Sequence, residues 1–208
     1  MRDTFCKGVE RKVYRKCGKR CIDFLLALFA LSILFLPLLV LTVLTAIKMR
    51  GNPFFVQPRP GYREKIFHLI KFRSMRNTTD AEGNLLPDEQ RLTSYGRFLR
   101  STSLDELPEL INVLKGDMSL IGPRPEVPFH VRHFKEEVPL YLLRQQVRPG
   151  ITGWAQVNGL RGDTSIEARV SYDLWYIENW NIWLDMKILL MTVAGGMINE
   201  ECVKKENS

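Results

Sequence analysis

Residues 24–47 form 24 consecutive positions without a charge. As one straight helix the run is about 36 Å long, against roughly 30 Å of bilayer hydrocarbon, so it can span a membrane. It is apolar all round instead of along one stripe, which argues against a soluble core helix. Nor does it suit a secretory signal, being too long and followed by no small-residue cleavage site. Pro37 falls in its middle, where it removes a backbone hydrogen bond and clashes with the carbonyl of Ile33, so a break is expected at Leu36-Pro37. Both flanks are basic: Lys7, Arg11, Lys12, Arg15, Lys16, Lys19 and Arg20 precede the run, and Lys48, Arg50, Arg59, Arg63 and Lys65 follow it. The positive-inside rule holds both flanks on the cytoplasmic face. A helix that enters and leaves by one leaflet meets both constraints. A kinked spanning helix is the alternative, because proline is tolerated in true spans.

The rest of the 208-residue chain suffices for one compact domain. We divide it into a basic membrane-surface segment (1–20), the membrane helix (21–47) and a cytoplasmic domain (48–208). The basic segment is expected on anionic lipid headgroups. A formal charge of +7 fits an anionic partner: nucleic acid, anionic lipid or a phosphorylated substrate. The four cysteines, Cys6, Cys17, Cys21 and Cys202, form no C-x-x-C pair, which argues against a zinc site and fits a reducing compartment.

Within the domain, Asn52-Pro53 and Gln57-Pro-Arg-Pro-Gly61 read as a turn-rich exit from the membrane. Residues 66–72 alternate as a short strand, 80–88 form a polar loop, and 90–100 are helical in pattern. Residues 108–115 make a short helix with Pro108 first and Gly116 just beyond its end. A turn at Gly122-Pro-Arg-Pro125 leads into two helical pieces over 126–146, parted at Pro139. Residues 151–157 read as a strand and 165–179 as a helix. Residues 182–198 are largely apolar and follow Tyr172, Trp175, Tyr176, Trp180 and Trp183, which suits core packing and an interfacial helix equally. The fold class is α+β, mostly helical.

Asp105 and Glu106 are adjacent carboxylates among arginines. One reading is structural: Ser103-Leu-Asp-Glu106 matches a capping box, and acidic residues suit a first helical turn. The other is chemical. Lys71, Arg73, Arg76, Arg97, Arg100, Arg124, Arg148 and Arg161 lie in turns or at element ends, often beside Gly or Pro, where arginine suits bidentate phosphate contact. An aspartate kept ionised by such cations can attack phosphorus, and a neighbouring carboxylate can hold Mg²⁺ across phosphate oxygens. His68, His130 and His133 show no ligand spacing and are read as non-catalytic.

With these residues in place the chain resembles the small monotopic phosphoglycosyl transferases of the bacterial sugar transferase family, which start glycan assembly on polyprenol phosphate. The matching pieces are Lys19-Arg-x-x-Asp23, Gln57-x-Arg-x-Gly61, Lys71-Phe-Arg-Ser-Met75 and Gly96-Arg-Phe-Leu-Arg-Ser-Thr-Ser-Leu-Asp-Glu-Leu-Pro108. They continue with Asn112-Val-Leu-Lys-Gly-Asp-Met-Ser-Leu-Ile-Gly-Pro-Arg-Pro125 and Arg148-Pro-Gly-Ile-Thr-Gly-Trp-Ala-Gln-Val-Asn-Gly159. They cover nearly the whole chain in family order, and the chain looks like the minimal catalytic form. The resemblance implies a re-entrant helix at the bacterial inner membrane, with the catalytic domain on the cytoplasmic face. It also implies transfer of a sugar-1-phosphate from a UDP-sugar to undecaprenyl phosphate, with UMP released and no nucleic-acid partner. By residue-for-residue mapping Asp105 is the nucleophile and forms a covalent phosphosugar intermediate. Glu106 is its metal or proton partner, and Asp105 and Glu106 are the candidate Mg²⁺ ligands. Arg100 and Arg124 map to phosphate or nucleotide contacts, with Lys71, Arg73 and Arg148 as further candidates.

Two departures stand out. Leu36-Pro37 replaces the family's usual Ser-Pro break, leaving Ser32 to offer a hydroxyl one turn earlier. Glu109 replaces a common Gln and adds a third negative charge near the dyad. Rival readings are a non-catalytic membrane scaffold of a glycan assembly complex and direct transfer without an intermediate. The sugar and the oligomeric state, monomer or homodimer, stay open.

Overall fold

Two helices carry the apolar run, α1 (Lys16–Ile33) and α2 (Phe35–Met49), bent by 68° at Leu34. The computed structural model describes residues 16–162 and 164–195. The bend lies at Leu34 and not at Leu36-Pro37, because the proline ring excludes the carbonyl four residues back and the regular ladder fails there. Leu36 and Pro37 then fall in the first turn of α2, where a missing N–H costs nothing. The ladder resumes with Leu38 N donating to Leu34 O at 2.8 Å. Ser32, expected to serve carbonyls freed at the break, donates instead to Leu28 O at 2.9 Å. Among the described residues no single helix is long and apolar enough to cross a membrane, whereas the bent pair together is.

Both ends of this pair are tied to the domain that follows. Lys19 Nζ lies 2.7 Å from Asp185 and 3.7 Å from Asp23. Buried Asp23 accepts from Ser119 Oγ at 2.7 Å and from Leu120 N at 3.3 Å. Arg20 donates to the carbonyls of Val113 and Leu114. Lys19 and Arg20, read with the basic segment as lipid contacts, are therefore spent on protein; residues 1–15 lie outside the described residues. At the far end Thr45, fully buried, shares a hydrogen bond of 2.9 Å with Tyr95 Oη, and Arg76 donates to Lys48 O.

The segment read as a turn-rich exit is a strand. β1 (Phe54–Pro60) pairs antiparallel with β2 (Ile66–Phe72), Phe54 opposite Phe72 and Pro60 opposite Ile66. Pro58 and Pro60 are admissible because a two-stranded ribbon is all edge, so their missing donors break no central ladder. Helices α3 (Asp88–Arg91) and α4 (Ser94–Ser101) replace the single helix expected over 90–100. Thr93 separates them, its hydroxyl accepting from Gly96 N at 2.9 Å as an N-cap. Helix α5 (Glu109–Lys115) follows Pro108 and ends at Gly116, whose φ of 91° is the left-handed stop foreseen for it.

Strand β3 (Ser119–Ile121) pairs parallel with β4 (Gly150–Thr152) across α6 (Pro128–Glu137) and a 3₁₀ turn at Tyr141–Gln146. The strand expected over 151–157 stops at Thr152, and α7 (Trp154–Val157) takes up the remainder. Helices α8 (Ile166–Asn179) and α9 (Ile182–Ala194) complete the described chain.

Ala27 of α1 packs with Phe67 and Leu69 of β2 and with Leu110 and Val113 of α5, so α5 sits between the ribbon and α1. Ile121 packs with Tyr176 and Ile177 of α8 and with Leu184 and Ile188 of α9. The aromatics before α9 divide: Tyr176 and Trp180 turn inward to hydrogen-bond Asp185, while Tyr172, Trp175 and Trp183 stay exposed.

Candidate active site

The carboxylate dyad lies in a 3₁₀ turn, Leu104–Glu106, between α4 and α5. Ser103 enters it with φ of 54° and makes no side-chain cap, so the capping-box reading does not hold. Glu106 reaches two cations instead. Its Oε1 accepts from Lys71 Nζ at 2.8 Å and from Arg124, whose other terminal nitrogen stands 3.3 Å from Oε2. These charges outweigh burial and hold Glu106 well below the usual carboxylate range.

Asp105 is different. It is buried, and among the described residues no hydrogen bond or ion pair engages its carboxylate. Burial raises it to about 6, with Lys71, Arg124 and Arg100 pulling the other way. The cations that the sequence led one to expect around the aspartate are thus spent on its neighbour Glu106, and Asp105 lies above its ordinary value instead. Glu109, whose carboxylate is 1% exposed, places Oε1 3.2 Å from Lys71 Nζ; burial pushes it up to about 7. Glu106 and Glu109 therefore share Lys71, and Arg124 pairs with Glu106.

The scaffold explains why these groups meet. Asn112 on α5 donates to His68 O at 2.7 Å and accepts from Ile70 N at 3.0 Å, completing the free edge of β2 as a neighbouring strand would. That clamp delivers Lys71 to Glu106 and Glu109. A Cβ on Gly96 would stand 1.8 Å from Ser74 O, so only glycine lets α4 approach; one turn on, Arg100 Nε then donates to Ser74 Oγ at 2.8 Å. Arg124 is held from behind. Buried Arg144 donates to Arg124 O at 3.1 Å and pairs with Asp173 at 2.7 Å. Arg59 donates to Pro125 O at 2.9 Å and is steadied by Gln57.

Of the residues singled out in the sequence, the structure gathers Asp105, Glu106, Lys71 and Arg124, with Arg100 near enough to act on Asp105. Arg73 and Arg148 go elsewhere. The first directs its guanidinium to Phe54 O; the second donates to Gly116 O, at the opposite end of α5. Arg76 caps α2, and His68, His130 and His133 are exposed. The roles of Asn112, Arg144 and Asp173 escaped the sequence, because a buried polar clamp has no spacing signature. No group of three or more metal-ligating side chains occurs among the described residues.

The description of the bacterial sugar transferases matches residues 14–199. The chain belongs to that family. An uncharacterized sugar transferase of Bacillus subtilis, EpsL, is 45% identical over 186 residues, 88% of each chain. The UDP-glucose:undecaprenyl-phosphate glucose-1-phosphate transferase of Escherichia coli is 40% identical, over 95% of this chain and 43% of the relative. A UDP-N-acetylgalactosamine-undecaprenyl-phosphate N-acetylgalactosaminephosphotransferase of Aeromonas hydrophila is 42% identical, over 84% of this chain and 42% of the relative. The transferase thus spans less than half the length of the two relatives whose names state a reaction. The motifs Lys19-Arg-x-x-Asp23 and Asn112-Val-Leu-Lys now have local roles in it, as the dock of α1 and the β2 clamp.

Proposed function

We propose that the protein transfers a sugar-1-phosphate from a UDP-sugar to undecaprenyl phosphate and releases UMP, in two steps through Asp105. The observation that carries this reading is a buried carboxylate that receives no hydrogen bond among the described residues, beside one neutralised by Lys71 and Arg124. The carboxylate not pinned by Lys71 and Arg124 is the more nucleophilic of the two. In the first step an Asp105 oxygen attacks the phosphorus bearing the sugar, and the bond from that phosphorus to the UMP oxygen breaks. In the second an oxygen of undecaprenyl phosphate attacks the same phosphorus, and the Asp105 carboxylate is restored. Lys71, Arg100 and Arg124 offset the charge of the phosphoryl groups in both steps. Glu106, pinned by its two cations, positions them and is a poor proton carrier in this arrangement.

Mg²⁺ fits as an ion shared with the donor. It commonly takes one or two carboxylates plus substrate phosphates, and Asp105 is the dyad member whose oxygens lie on no cation. When bound there it would neutralise pyrophosphate charge. Donor nucleotide and acceptor follow the names of the relatives; their sugars differ, so none is assigned here.

We also read the bent pair as re-entrant. Two arms of 16 and 15 residues bent by 68° reach a depth of about 13 Å, less than half the hydrocarbon thickness. Both ends return to the same domain, which supports entry and exit by one leaflet at the cytoplasmic face.

Asp105→Asn is expected to abolish UMP release from a UDP-sugar in the absence of lipid, and wild-type protein to gain the mass of a sugar phosphate in intact-protein mass spectrometry. UMP release persisting in the variant would remove Asp105 as nucleophile; turnover with no adduct would favour direct transfer.

A further inference from the structure

A cavity of about 180 Å³ lies beside the dyad, and the chemistry above leaves it unused. Leu110, Leu120, Ile151 and Leu189 wall it, and Glu106 and Arg161 are its charged lining residues. Its hydroxyls are spent on the protein: Thr192 Oγ1 donates to Ile188 O at 2.8 Å and stands 2.9 Å from Thr152 Oγ1. Gln156 Nε2 likewise donates to Ile151 O at 3.1 Å. Most of the wall is therefore hydrocarbon facing hydrocarbon-sized space. An apolar cavity of about 150 Å³ holds a benzene ring, so this one accommodates roughly one or two five-carbon units.

Its position is equally specific. Leu110, Leu120 and Ile151 also pack toward Ala27, Ala30, Leu31 and Leu34 of α1. Leu189 belongs to α9, which exposes Trp183, Leu190 and Val193. The cavity thus runs from Glu106 to α9, which carries exposed apolar surface, and part of its wall belongs to the core cluster shared with α1. A ligand matching it has an anionic head and a branched hydrocarbon tail.

We infer that the cavity receives the first isoprene unit of the polyprenyl phosphate acceptor, with the acceptor's phosphate toward Lys71, Arg124 and Arg161. The inference rests on the sugar-phosphate transfer reading and adds a subsite to it. The competing occupant is the donor's sugar, for which Gln156 Oε1, buried and without a partner among the described residues, is the suitable acceptor of a hydroxyl.

Leu189→Phe and Ile151→Phe narrow the cavity. In full-length protein in nanodiscs each is expected to raise KM for undecaprenyl phosphate about tenfold while KM for the UDP-sugar stays within about twofold. Leu189→Met, which conserves volume, should keep wild-type values. A rise confined to the UDP-sugar would overturn the proposal and place the sugar in the cavity; no change in either constant would overturn it as well. A second arm needs no variant. Undecaprenyl phosphate carrying a diazirine on its first isoprene unit should label peptides containing Leu110, Ile151 or Leu189 in wild-type protein, and labelling elsewhere would overturn the assignment. Wild-type protein that transfers from no UDP-sugar would refute the underlying reading instead, whatever the diazirine labels.

Discussion

At the scale of single residues the centre is one carboxylate held ionised and another held ready. Asp105 moves from an ordinary value of 3.8 to about 6 on burial. The folded chain therefore binds this proton more tightly than the unfolded one, and stability falls as pH rises between those two values. Above pH 6 the full cost is about 3 kcal/mol. Asp105→Asn should accordingly melt higher than wild type at pH 8, with the difference vanishing near pH 4; an equal gain at both pH values would mean that the charge is not its source. On the activity side, kcat/KM for the UDP-sugar should fall as pH drops through about 6, because the protonated carboxyl is no nucleophile. The dyad was legible in the sequence because it is contiguous and sits among arginines. Its partners were legible only as a class. Lys71 and Arg73 are two apart and would share a face in a continuing strand, but β2 ends at Phe72 and the second side chain departs. Arg148 has the same Gly-Pro setting as Arg124 and serves a helix end.

Among elements, the ones that periodicity marks came through: β2, α5 with its proline and glycine, and α8. Those lost were β1 and α7. Prolines in β1 signal turns everywhere except on an edge, and edge status is a tertiary fact. The break at Leu34 was foreseen in kind and displaced in place, since a proline disturbs the turn before it and not its own. The Arg144–Asp173 pair tests how α8 holds the Pro-Arg-Pro segment. Arg144→Met alone should cost about 3–5 kcal/mol by stranding a buried aspartate. Arg144→Met with Asp173→Leu should recover most of that in the melting curve, yet leave Arg124 O without its donor and kcat reduced about tenfold or more. A double variant with wild-type kcat would show that Arg124 needs no such brace.

The whole molecule is a domain closed around the open end of a bent apolar helix pair. A Cβ at Gly18, in the first turn of α1, or at Gly51, just beyond α2, meets no atom within 4 Å. With the native cysteines replaced by serine, Gly18→Cys and Gly51→Cys should both react with an impermeant maleimide only once the inner membrane face is opened. Labelling of one from outside intact spheroplasts would make the pair a span. Finally, the contact between Lys19 and Asp185 joins positions 166 residues apart. At about 5–20 residues per second of synthesis, the first helix waits some ten to thirty seconds for the carboxylate that fixes it. During that interval its basic end has no protein partner at Asp185, although the carbonyls of Val113 and Leu114 and the hydroxyl of Ser119 are already made and can hold Arg20 and Asp23. The dock of α1 is therefore completed in the order of synthesis, with α5 and β3 first and α9 last.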